Sequence, residues 1–74
     1  SGYIYLQVIF KPDAKEIDIR KLLTKLNASI VEGPGEFGEY VIKVKMHQKI
    51  NAFEAIEESG LTELVGQSKR NSLY

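Results

Sequence analysis

Seventy-four residues allow one small domain, whose hydrophobic core is only marginally sufficient by itself. The chain has no cysteine, so neither a disulfide nor a thiolate metal site reinforces that core. Ten basic residues balance ten acidic ones, no apolar run approaches a membrane span and no signal peptide is visible, so nucleic acid and direct membrane insertion are not expected of this segment.

Ser1-Gly2 reads as a remnant of cloning, which would make the chain an excised domain. Residues 3–10 (YIYLQVIF) are β-branched and aromatic enough to predict a strand. Ile4, Leu6, Val8 and Phe10 form one face, assigned to the core. Tyr3, Tyr5, Gln7 and Ile9 form the other, because Gln7 and the phenols tolerate water. Asp13 and Glu16 have the spacing of a capping box, predicting a helix over 14–26 with Ile19, Leu22, Leu23 and Leu26 as its apolar stripe. Asn27 is its expected left-handed stop.

Residues 28–46 organise the chain. Ala28 and Ile30, then Tyr40, Ile42, Val44 and Met46, recur at every second position around a loop bearing Gly33, Pro34, Gly35 and Gly38, which predicts an antiparallel hairpin. A second capping box, Asn51 with Glu54, predicts a helix over 52–59 that turns Phe53 and Ile56 inward. Gly60 should end it, with Leu61 in a Schellman contact on Ile56. Residues 62–66 read as a short last strand and 67–74 as a flexible C-terminal tail. The order β-α-β-β-α-β predicts an α+β ferredoxin-like sandwich over residues 3–66. It has a four-stranded antiparallel sheet, strands one and three central, and both helices on one face.

No constellation in the sequence supports catalysis. His47 is the only histidine, and the acid pairs Glu57-Glu58 and Glu36/Glu39 read as solvated surface. Met46-His47 reads as a strand end rather than a soft-metal site. The glycine-rich loop joins two strands, whereas a phosphate loop should open a helix. No catalytic residue, cofactor or metal is therefore expected. RNA-recognition domains share this topology, but strand three offers Glu39, Val41, Lys43 and Lys45 on the open face and no aromatic. What remains is the helix-free sheet face. Tyr3, Tyr5, Gln7, Ile9, Val31, Val41, Lys43 and Lys45, with a Leu or Val of the last strand, are its expected contact residues, for a protein partner or a second copy.

The segments 8–14 (VIFKPDA), Ile19-Arg20-x-x-Leu23, Ala28-x-Ile30-Val31-Glu32-Gly33-Pro34 and Gly38-x-Tyr40-x-Ile42-x-Val44 carry a resemblance. They resemble a small extracytoplasmic domain, the C-terminal part of bacterial membrane-anchored anti-sigma-factor-like proteins. The likeness spans about residues 5–44. It implies a periplasmic, regulatory sensing or protein-contact role within a larger membrane-associated protein. Sigma-factor binding is not carried over, because the zinc-binding and membrane segments of that family are not in this sequence. The architecture is also similar to subtilisin-type propeptides, which cap a protease with the open face and send a tail into its cleft. That resemblance implies such a role for residues 71–74, although the acidic ending of those propeptides is missing here. RNA binding is the third alternative.

Overall fold

A computed structural model describes residues 2–73. Ser1, read as a cloning remnant, and Tyr74, the end of the expected tail, lie outside the described residues. Strand β1 (Tyr3–Phe10) is followed by helix α1 (Glu16–Lys25), strands β2 (Ser29–Glu32) and β3 (Glu39–Lys45), helix α2 (Lys49–Glu58) and strand β4 (Thr62–Gln67). The sheet order is β2-β3-β1-β4, with every pairing antiparallel. Read from the other edge it is β4-β1-β3-β2, the interleaved order of two split β-α-β units. The fold is thus the α+β, ferredoxin-like class, with β1 and β3 central.

The even residues of β1 face the helices. Ile4, Leu6 and Val8 join Ile42, Val44, Ala52 and Ile56 in one buried cluster, with Leu22, Leu23, Leu26 and Phe53 packed on it from the two helices. Phe10 and Tyr40 extend this layer, their ring centroids 5.8 Å apart. The two-residue period of β1 is enough to predict this, because a strand between two neighbours must bury one complete side-chain row.

Both helices start elsewhere than their capping boxes predict. Pro12 and Asp13 form a turn closed by the Ala14 N–H on the Lys11 carbonyl at 3.0 Å, so Asp13 does not cap. Lys15 is the N-cap of α1, without a side-chain bond, and its carbonyl accepts the N–H groups of Asp18 and Ile19. The Glu16 carboxylate, expected to reach back to the cap, is instead taken by Arg20 at 2.6 Å one turn ahead. That hydrogen bond holds the Glu16 carboxyl below its ordinary pKa and raises that of Arg20. Helix α2 begins at Lys49 because a 3-10 turn, Met46–Gln48, leads straight into it. Asn51 therefore lies inside the helix, and Met46 leaves the strand row for solvent.

The helix stops follow their residue types. Asn27 has φ 55°, and the Ala28 and Asn27 N–H groups bond back to Leu23 and Thr24, the paired bonds of a Schellman motif. Gly60 has φ 74°. The Ser59 hydroxyl links Leu61 back to Ile56: it donates to the Ile56 carbonyl at 2.7 Å and accepts the Leu61 N–H at 3.1 Å.

The hairpin loop needs its glycines. The Gly33-Pro34 peptide is cis, and Gly33 sits at φ 117°, where a Cβ would meet the Glu39 carbonyl oxygen at 2.8 Å. The Glu39 carboxylate turns back to accept the Phe37 N–H at 2.8 Å. Two expectations on β2 are corrected. Ile30, which its alternation with Ala28 and its place in the row of Ile42 and Val44 would put in the core, is 44% exposed, because β2 is an edge strand and no neighbour covers its outer flank. Val31, assigned to the open-face row, is bypassed by a bulge between Ile30 and Glu32. Glu32 is thereby set opposite Val41, in the row Val31 was expected to fill.

Candidate interaction face

The face away from the helices follows from the strand register. Tyr3 lies opposite Lys45; Tyr5 lies opposite Lys43, which faces Ser29 on β2. The next row runs Glu32, Val41, Gln7, Gly66, and the last runs Glu39, Ile9, Leu64. Of the expected contact residues, Tyr3, Tyr5, Gln7, Ile9, Val41, Lys43 and Lys45 share this face. Val31 belongs to the bulge.

The surface they form is less open than the alternation implies. The expected flexible tail begins at 67, but β4 runs through Gln67, and Lys69–Leu73 forms a 3-10 turn held on β1. β4 pairs β1 only from Leu6 onward. Next to its end, the Ser68 N–H donates to the Tyr5 carbonyl at 3.1 Å. The Asn71 carboxamide then takes the place of a peptide group. Its Oδ1 accepts the Tyr5 N–H at 2.9 Å and its Nδ2 donates to the Tyr5 carbonyl at 2.7 Å. Asn71, which a propeptide role would send into a protease cleft, is thus bound to the chain's own sheet.

Arg70 follows from this anchoring. Its guanidinium lies over the Tyr5 ring, 4.6 Å from the centroid, and forms an ion pair with Glu32. Tyr5 and Glu32 stand on β1 and β2, with β3 between them, so the arginine side chain crosses β3. This accounts for Val41, expected as an exposed contact and found 8% exposed although it faces away from the helices. Gln7, Val41 and Glu32 floor a shallow cavity of about 680 Å³ whose sides are residues 33–35, Glu39 and residues 68–70. Lys43 is also engaged, its Nζ 4.2 Å from the centroid of the Tyr3 ring.

Apolar surface remains at the two ends of the face, where Tyr3 and Leu64 are each 46% exposed and Ile9 is half-buried beside Leu64. Sequence reasoning missed Glu32, Ser68, Arg70 and Asn71. Of the Leu or Val expected from the last strand, Leu64 is the one on this face, while Val65 turns inward to the core. Among the described residues, no group of three or more His, Asp or Glu side chains stands ready to hold a metal ion. Among them, too, no helix is long and apolar enough to cross a membrane. No protein-family model, no curated protein and no solved structure matches the chain.

Proposed function

We propose that this is a non-catalytic protein-interaction or sensing domain of a larger, envelope-associated protein, and that it uses the helix-free sheet face. The observation that supports this reading is the exposure of Tyr3 and Leu64, with Ile9 beside Leu64, on rigid strands at the two ends of that face. A tyrosine and a leucine held in fixed rows lose little entropy when a partner covers them, and aromatic anchors commonly centre such contacts. Lys45, exposed beside Tyr3, would act mainly on the rate of encounter and its salt dependence. The extracytoplasmic placement belongs to the same proposal and rests on the resemblance of residues 5–44.

Cross-linking and amide exchange in the full-length parent protein test the reading, with sedimentation of the isolated chain for self-association. Protection at Tyr3, Ile9 and Leu64 is expected. Tyr3→Ala with Leu64→Ala should weaken the association by about one to several kcal/mol without unfolding the domain. Protection confined to α1 and α2 would refute it.

A further inference from the structure

We propose that the centre of the open face is a binding site for an arginine-bearing peptide segment, which the chain's own residues 68–71, leading into a 3-10 turn, fill as a built-in ligand. This rests on the reading of the face as a contact surface and adds the chemistry of the partner. Adjacent strands lie about 4.8 Å apart and alternate rows about 6.8 Å apart, so Tyr5 and Glu32, two strands and one row apart, are separated by roughly 12 Å. A side chain that stacks on the first and pairs with the second must be long, flat and cationic. Arginine meets that description, because its planar guanidinium stacks on an aromatic face while its N–H groups reach a carboxylate. Lysine, a compact point charge, does not do both.

The backbone part of the site is general. The Tyr5 N–H and carbonyl point past the end of β4, where they are met by the Asn71 carboxamide and the Ser68 N–H. A peptide group placed where the Asn71 carboxamide lies presents the same kind of donor and acceptor to Tyr5. Glu32 selects for a basic segment, Val41 gives the floor an apolar patch, and the cavity beside Arg70 leaves space for a neighbouring residue. The tail competes for this site at the high effective concentration of a tethered segment. A partner therefore gains access by displacing it.

The test uses the full-length chain carrying Arg70→Ala and Asn71→Ala, with its fold checked by far-UV circular dichroism. The probes are a free peptide of the sequence of residues 68–73 and the same peptide with alanine for arginine, each titrated to about 10 mM. Saturable amide shifts at Tyr5, Glu32 and Val41 are expected with the arginine peptide, and at least ~fivefold weaker binding with the alanine peptide. The native chain should bind the arginine peptide more weakly than the double variant does. Absence of binding to the double variant, or equal affinity for the two peptides, overturns the proposal. If the double variant does not fold, Arg70→Ala alone takes its place under the same criteria. A parent-protein contact that is lost on Tyr3→Ala with Leu64→Ala, in a domain that fails to bind the peptide, refutes this inference and leaves the broader reading standing.

Discussion

Replacing Asn71 with alanine removes a side chain that acts as a missing stretch of strand. The carboxamide accepts the Tyr5 N–H at 2.9 Å and donates to the Tyr5 carbonyl at 2.7 Å and to the Ser68 carbonyl at 3.1 Å. Each such bond nets about 0.5–1.5 kcal/mol. The group is half-buried, so water recovers part of the loss, and the Tyr5 carbonyl keeps the Ser68 N–H at 3.1 Å. About 2 kcal/mol is therefore expected, which in a domain of this size lowers Tm by roughly 8–16 °C. Urea unfolding followed by far-UV circular dichroism measures the loss, and amide exchange at Tyr5 localises it. Asn71→Asp should lose as much or more, since it keeps the acceptor but sets a carboxylate against two carbonyl oxygens. An unchanged urea midpoint together with a Tyr5 amide that stays protected would refute the idea that the tail completes the sheet.

Gly33→Ala should destabilise by about 2 kcal/mol or more, because φ 117° strains any L side chain and the new Cβ meets the Glu39 carbonyl; thermal melting reads it directly. Val8→Asp should abolish the native spectrum, since an unpaired carboxylate in a fully buried position costs several kcal/mol against a stability of roughly 5. Ile30→Asp should leave a folded protein, the reverse of what the alternation of β2 implies, and near-UV and NMR spectra distinguish the two outcomes. For Glu16, whose folded pKa lies below its ordinary value, any stabilisation by Arg20 is present at neutral pH and fades as pH falls through the folded pKa. A carbon-detected titration of the Glu16 carboxyl should move upward in Arg20→Gln, and an unmoved midpoint would dismiss the pair.

Local chemistry accounts for what was legible. The row of Ile4, Leu6 and Val8 was readable because side chains alternate strictly along a strand. Asn27, Gly33 and Gly60 were readable because positive φ falls to residues that tolerate it. The capping boxes misled for a reason equally physical. An aspartate or asparagine caps only where the preceding chain leaves the helix axis at that point, and the Pro12-Asp13 turn and the Met46–Gln48 turn moved both points.

The sequence by itself determined the element order, the core face of β1 and β3, and the places where the chain must turn, because these depend on neighbours a few residues away. Tertiary structure alone decided which strand lies at an edge and so leaves Ile30 exposed, and where the bulge sets Glu32 in the row expected for Val31. It also decided that residues 68–71 close over Tyr5 and Val41. Asn71 and Tyr5 are 66 positions apart. A carboxamide that meets a peptide group leaves no periodicity or spacing in the chain, and its partner exists only once β1 has lost the cover of β4 beyond Leu6.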